Sequence, residues 1–523
     1  MSNSPGYNRN QKKESGAAAI VQVILVAGLV AGGVFGWWKF SGEKKRVADL
    51  AVAAKQKTEA DDHVALLEAL RLFDEIDSSG AKQMADDGIL VSLAEINAQL
   101  YQAYGVAEAK TRAEKYVSVA KERDLKKAER YAAEAYLMLG DGQGPAAENM
   151  LTDIVVNRGA RHAKLLHAMA VAKLAQGKAK DAVATSLEGQ KLSTQLVRLP
   201  IAEGDAFLAL GNFSAAANAY NKAKKLNPDH LRARTALTIV AGVSRIGKPP
   251  LLQQELDRLL QEAGENAPPR VKGFIQYGKG EVFLVENKAK EALEQAEASL
   301  ATDPGQPSSL ALKGRALAKL GKNEEAGKAF DEALAIAPSS LPIAKAAALT
   351  LKRAGKEKDG VAYLQKVVAS NPENGQAHAE LAIVQAAVGM AAEATKSAEE
   401  AVTKLGNASD IAVFAKARAL HASKKLPEAL ETYKESLGFH GNPDWPELYF
   451  ALGDLRFDEK NWDEAIGAYE SAIKFWDKQG GSIDDVADAW ERIGKATQSM
   501  GGKKAKGAKE FFDKAEALRK GKV

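Results

Sequence analysis

The chain has 523 residues, with 72 basic and 68 acidic side chains for a formal charge of +4, 46% apolar residues and only 6% aromatic ones. So near a balance excludes a general attraction to nucleic acid. With no cysteine, disulfides, zinc–thiolate sites, cysteine nucleophiles and lipoprotein acylation are excluded too.

Residues 1–16 form a short basic tail carrying Arg9, Lys12 and Lys13. No charge interrupts Ser15 to Trp38, and residues 17–38 contain only Gln22 as a strongly polar side chain. A helix rising ~1.5 Å per residue needs about 20 residues to cross the hydrocarbon core, so this run predicts an uncleaved transmembrane helix. Trp37 and Trp38 suit the headgroup zone, with Lys39 reaching water beside them. A cleaved signal peptide is the competing reading, but its apolar part is shorter, about 7–15 residues. Gly28, Gly32 and Gly36 share one face, the spacing that lets two membrane helices touch as a homodimer; glycine is also simply common in such helices.

Residues 39–127 are the least regular part. Val64, Leu67, Leu70, Phe73 and Ile76 recur at helical intervals, which predicts divergent helices linking the tail to the rest of the chain. From residue 128 to 523 a punctuation recurs at a 34-residue pitch. In Val197–His230, Gly204, Gly211, Ala216, Tyr220, Ala223 and Pro228 occupy positions 8, 15, 20, 24, 27 and 32. In Pro307–Ser340, Gly314, Gly321, Ala326, Phe330, Ala333 and Pro338 occupy the same places. Gly273–Gln306, Leu341–Asn374, Gly375–Ala408 and Pro446–Gln479 keep parts of the pattern in phase, and weaker copies begin near Glu129, Ala163, Asp410 and Ala487. Leu231–Lys272 is longer, and its Pro249–Pro250 pair splits two helical patterns, as in an irregular hairpin.

This period and punctuation resemble the tetratricopeptide repeat, a pair of antiparallel helices that stacks into a solenoid. Small residues at 8 and 20 let paired helices approach, and the aromatic at 24 fills the gap to the next hairpin. Glycine at 15 takes a left-handed cap, and proline at 32 ends the second helix. The expected fold is an all-α solenoid of about ten hairpins behind one transmembrane helix, with Lys504–Lys520 as a last, capping helix.

No catalytic or metal-binding pattern competes with this reading. Of the seven histidines only His162 and His167 are near neighbours, at a spacing that puts them on different helical faces. Gly140, Gly142 and Gly144 precede Pro145 and read as a turn instead of a phosphate cradle. Glu324–Glu325 and Asp484–Asp485 lie at helix starts, where the helix dipole favours them. No enzyme activity and no cofactor are expected.

In the family the resemblance points to, positions 2, 5, 6, 9, 12 and 13 line a concave groove. Carried onto this chain they give Arg315, Lys319, Lys345, Lys352 and Arg353, five cations suited to an anionic peptide or acidic protein tail; the alternative is that they merely cover helix surface. Phe274 and Tyr277 face the groove in one repeat, and Phe450 and Phe457 beside Glu447, Asp454 and Asp458 in another. They are either binding anchors or packing. Position 9 reads Asp205, Glu281, Arg315, Leu349, Ile383 and Asp454, so the carboxylate clamp of chaperone-binding members is not reproduced.

Basic residues number three before the apolar run and four just after it, so charge bias barely orients the chain. The first ~60 residues resemble the membrane-anchored bacterial repeat proteins that accompany the Sec translocon, which implies an inner-membrane anchor with a periplasmic solenoid; a cytoplasmic face is the alternative. The expected function is a non-enzymatic, membrane-anchored scaffold that docks protein partners during assembly of an envelope or membrane complex. The alternatives are a chaperone-like holder of secreted clients and a targeting receptor on the cytoplasmic face.

Overall fold

The computed structural model describes residues 45–78, 87–244, 247–438, 445–479 and 483–520. The basic tail, the apolar run 17–38 and its Gly28, Gly32 and Gly36 lie outside the described residues. Among the described residues, no helix is long and apolar enough to cross a membrane. This corrects the localisation expected from sequence, a single-pass inner-membrane protein with its solenoid in the periplasm. The physical reason is visible in the helices themselves: even the apolar Ala163–Ala175 is only 13 residues long and carries Lys164 and Lys173, where a span needs about 20 apolar residues.

The described residues form 26 α-helices and no strand. They are α1 (45–60) and α2 (His63–Ser78), then α3 (Asp87–Tyr104), α4 (Ala107–Glu122), α5 (Ala128–Gly140), α6 (Gly144–Thr152), α7 (Ala163–Ala175) and α8 (Ala179–Leu192). Next come α9 (Arg198–Ala209), α10 (Phe213–Leu226), α11 (Leu231–Val243), α12 (Pro249–Ala263), α13 (Pro269–Val285), α14 (Ala289–Thr302), α15 (Pro307–Lys319) and α16 (Asn323–Ile336). The last ten are α17 (Leu341–Arg353), α18 (Glu357–Ser370), α19 (Gly375–Ala387), α20 (Ala391–Leu405), α21 (Asp410–Ala422), α22 (Leu426–Gly438), α23 (Pro446–Asp458), α24 (Trp462–Gln479), α25 (Ile483–Ser499) and α26 (Ala508–Arg519).

From α3 to α26 the helices pair as twelve successive hairpins, more than the ten or so expected. The surplus lies in the N-terminal region, where α3–α4 is a regular hairpin whose first helix ends on the left-handed Gly105 (φ 72°) but which lacks the rest of the punctuation. The expected last helix, α26, is the second member of the last pair. Gly494 on α25 lies under the Phe512 ring of α26, and a Cβ there would meet the ring at 2.8 Å.

The same close approach holds the other repeats. A Cβ on Gly204 would stand 2.5 Å from the Tyr220 ring, one on Gly314 2.9 Å from Phe330, and one on Gly453 2.5 Å from Tyr469. Each ring therefore seats on position 8 of its own hairpin. It also reaches the next, since Tyr220 packs with Ala233, Ala236 and Val240, and Phe330 with Ile343, Ala344 and Ala347. Proline at position 32 follows two residues after the end of α10, α14, α16 and α18, where it cannot extend the helix.

Successive superhelical turns touch. The α1–α2 link meets the start of α11, where Asn227 Nδ2 donates to the Ala60 carbonyl (2.9 Å) and to Asp62 Oδ2 (2.7 Å). Five hairpins separate these elements, and the same interval recurs where Arg270 at the start of α13 donates to the Gln102 carbonyl near the end of α3. Gly177, after α7, packs against Leu341 at the start of α17. One turn thus takes about five hairpins, and the odd-numbered helices face a narrow central bore.

Candidate functional site

In the first turn the bore is filled. Arg198, the first residue of α9, reaches across to α3, donating to Glu95 Oε1 at 2.5 Å and to Gln99 Oε1 at 2.6 Å. Lys164 of α7 binds the other Glu95 oxygen at 2.6 Å, and Asp61 Oδ1 lies 3.6 Å from the Arg198 guanidinium while accepting from Gln99. All four charges sit nearly out of solvent, with Asp61, Glu95 and Arg198 side chains at most 5% exposed. Burial pushes the Glu95 carboxyl up, but Lys164 and Arg198 outweigh it and hold it below its ordinary value. Burial wins at Asp61, pushing its carboxyl to about 7 against the pull of Arg198 and Gln99.

Beside this cluster Tyr104 donates to the Asp61 carbonyl at 2.7 Å, and His230 Nε2 stands 3.1 Å from the same oxygen. Burial depresses the His230 imidazole to about 4, so it stays neutral. Phe274 and Tyr277, expected to face a groove, stack at 6.0 Å and 18°, with the Arg232 guanidinium 4.9 Å over Phe274. The space left beside Phe274 is a cavity of about 20 Å³, room for a water at most. Both aromatics are partly buried here, with little free space beside them.

The second turn differs. Helices α17, α19, α21, α23 and α25 surround a cavity of about 400 Å³, within the size range of ligand sites. Its floor holds Phe450 and Phe457; its small wall is Ala386, Ala387 and Ala422; Lys352 stands on one side. Five residues expected to face the groove, Lys352, Phe450, Asp454, Phe457 and Asp458, therefore converge here. Phe450 leans on Tyr469 (5.4 Å) and Trp476 (5.8 Å), and Phe457 meets Trp462 edge-on at 4.9 Å, so both rings are held in place while half-exposed to the cavity.

The other expected cations are engaged within the chain. Arg315 pairs with Glu281 at 2.6 Å, Lys345 with Glu380 at 2.5 Å, and Lys319 donates to Asn287 Oδ1 at 3.1 Å. Arg353 crosses from the end of α17 to Asp484 at the start of α25, 2.7 Å away, and closes the ring of helices. The Lys352 side chain has no ion pair or hydrogen bond among the described residues.

Two functional candidates went unseen in the sequence. Arg418 of α21 and Arg492 of α25 flank Asp454 of α23 at 3.7 and 3.5 Å, both on the cavity wall. Tyr469 donates to the same carboxylate at 2.9 Å. Nearby, Asp458 accepts from Lys424 at 2.7 Å and lies 3.3 Å from His421 Nε2; burial and then Arg418 lower the His421 imidazole. The signal was present, for Arg418 and Arg492 occupy groove positions 9 and 6 of the copies beginning at Asp410 and Ala487. Those copies carry too little punctuation to fix their register from sequence. Among the described residues, no group of three or more histidine, aspartate or glutamate side chains is arranged to hold a metal.

The tetratricopeptide repeat family matches residues 201–238, 277–340 and 414–482. No curated protein matches the chain. Similar solved structures include a chain of the APC/C hetero-tetramer Cut9-Hcn1, at 13% identity, covering 85% of this chain and 96% of that one with a TM-score of 0.34. Yeast Tom70 is similar at 14% identity, over 87% of this chain and 98% of that one, with a TM-score of 0.38. Neither likeness informs what this chain binds.

Proposed function

Since tetratricopeptide repeats build this solenoid, we propose that the protein is a non-enzymatic scaffold that docks a protein partner in the bore of its second superhelical turn. The observation that carries this is the contrast in free space: about 400 Å³ beside Phe450 and Phe457 against about 20 Å³ beside Phe274. Aromatic side chains braced by neighbours and half-open to a cavity are the kind of anchor that dominates binding energy. The cations Arg315, Lys345 and Arg353 contribute less than their number suggests, because carboxylates of the chain already neutralise them.

Site-specific photocrosslinking of the full chain in cells tests this. A crosslinker at Phe450 or Phe457 is expected to capture a small, defined set of proteins, and one at Phe274 none of them. Equal capture at all three positions would overturn the placement, and capture of many unfolded chains in place of a defined set would mark a holder and not a scaffold.

A further inference from the structure

The guanidiniums of Arg418 and Arg492 are under-neutralised. They share one carboxylate, Asp454, and both separations, 3.7 and 3.5 Å, exceed a charge-assisted hydrogen bond of about 2.7–2.9 Å. Asp454 is pulled the other way by Tyr469, whose hydroxyl holds Oδ1 at 2.9 Å. Arg418 is also largely buried, with 15% of its side chain exposed, so water compensates it poorly. The remaining carboxylates of the cavity are committed: Asp458 to Lys424, and Glu491 and Asp488 to Arg519, with Glu491 also holding Lys495. Lys352 adds an exposed positive charge to the same wall.

Resting on the docking reading above, we propose that Arg418 and Arg492 receive a side-chain carboxylate of the docked partner, next to an aromatic or aliphatic residue that seats on Phe450 and Phe457. A carboxylate bridging two guanidiniums gains short bidentate hydrogen bonds that Asp454, tied to Tyr469, does not make. The neighbouring apolar group is fixed by the aromatic floor. The acid is a side chain and not a chain terminus because the pair sits midway along the cavity. On α23 the lining runs from Phe450 through Asp454 to Asp458, and on α25 from Asp488 through Arg492 to Lys495, so the partner chain has room to continue on both sides.

The test uses the full chain and four fluorescent, acetylated Gly/Ser peptides read by polarisation. Three have amidated C-termini and carry a central Glu-Phe, Gln-Phe or Glu-Gly; the fourth carries Gln-Phe and ends in a free carboxylate. Glu-Phe is expected to bind about tenfold or more tightly than Gln-Phe, since a hydrogen bond to a charged group is at stake, and more tightly than Glu-Gly. Arg492→Met, at a half-exposed site, should erase the preference for Glu over Gln. Asp454→Asn keeps the acceptor for Tyr469, frees both guanidiniums and should strengthen Glu-Phe binding several-fold, a gain that no folding defect produces.

Equal binding of Glu-Phe and Gln-Phe would overturn the carboxylate subsite while leaving docking in this bore intact. Binding only of the peptide with a free terminus would overturn the assignment to a side chain. Absence of any binding, with Asp454→Asn included, would also overturn the subsite, whereas the docking reading itself stands or falls by the crosslinks at Phe450 and Phe457.

Discussion

The two superhelical turns are made of one kind of hairpin and put their bores to opposite use. In the first, long charged side chains at groove-facing positions meet across the axis and seal it: Arg198 spans from α9 to Glu95 and Gln99 on α3. In the second, the equivalent surface of α19 and the end of α21 carries Ala386, Ala387 and Ala422, and a cavity remains. The helix framework is thus independent of whether the bore is open. Side-chain length and pairing at a few groove positions decide that, as expected for a solenoid whose stability is a sum of neighbour interfaces.

The largest test of this contrast removes a bore arginine from each turn. Arg198→Met leaves Glu95 and Asp61 in a dry site with only Lys164 in support, and losing one partner of a buried ion cluster costs about 3–5 kcal/mol. Arg418→Met removes a looser pair at 3.7 Å and leaves Asp454 with Arg492 and Tyr469, so it should cost less, about 1 kcal/mol. Hydrogen exchange read by mass spectrometry separates the two because it reports each region by itself, which a global melt of a repeat array does not. Faster exchange in α3 and α9 for the first variant, with little change in α21 and α23 for the second, is expected. Equal effects would mean that the second bore is as structural as the first.

A smaller effect is pH-dependent and confined to the first turn. Asp61 is ionised in the unfolded chain above its ordinary value of 3.8, but burial pushes its folded value to about 7. The fold therefore takes up a proton, and stability falls as pH rises. This contribution is complete below about 3.8, is lost progressively up to about 7 and is constant beyond; each unit of displacement is worth about 1.4 kcal/mol. His230 acts oppositely, since its folded value is lowered to about 4 by burial and stability is lost as pH falls from about 6.5. Comparing the wild-type chain with Asp61→Asn cancels the His230 contribution. Asparagine keeps the acceptor for Gln99 and tolerates the left-handed backbone at this residue, φ 57°. The exchange-derived stability of α2, α3 and α9 in wild type, relative to the variant, should drop between pH 4 and 7 and stay level above; an unchanged difference would place Asp61 in contact with water.

How much of this was legible depends on what encodes it. The hairpins were readable because their spacing is set by local chemistry: Gly204 under Tyr220, Gly314 under Phe330, proline after the second helix. The α3–α4 pair lacks that punctuation, and so did not announce itself as a hairpin. The filled bore was not readable, because Glu95 and Arg198 lie 103 positions apart and meet only through the curvature of the whole stack. The internal pairing of the expected cations was unreadable for the same reason: Arg353 finds Asp484 across the turn, a contact no periodicity contains. The expected membrane anchor rested on the length and flanks of the apolar run 17–38, which lies outside the described residues, and nothing in the described helices supports it.

The finest comparison concerns position 15, where the first helix of each pair ends in a left-handed residue. In the first turn this place holds Gly177 and Gly211, at φ 75° in both. In the second, Gly355 and Gly389 keep it in two pairs, but Lys424 and Lys460 hold it in the next two at φ 61° and 60°, a conformation that places Cβ too near the following carbonyl oxygen and costs a non-glycine residue about 1–2 kcal/mol. Lys424 compensates through its ion pair with Asp458. Lys460 is exposed and offers a clean measurement. Lys460→Gly relieves the strain but widens the unfolded ensemble, so a net gain of about 0.5–1 kcal/mol is expected, seen as slower hydrogen exchange in α23 and α24. Because the residue lies off the cavity wall, peptide binding beside Phe450 should not change. A gain in stability with unchanged binding would show that the open turn can be made as firm as the filled one without closing its bore.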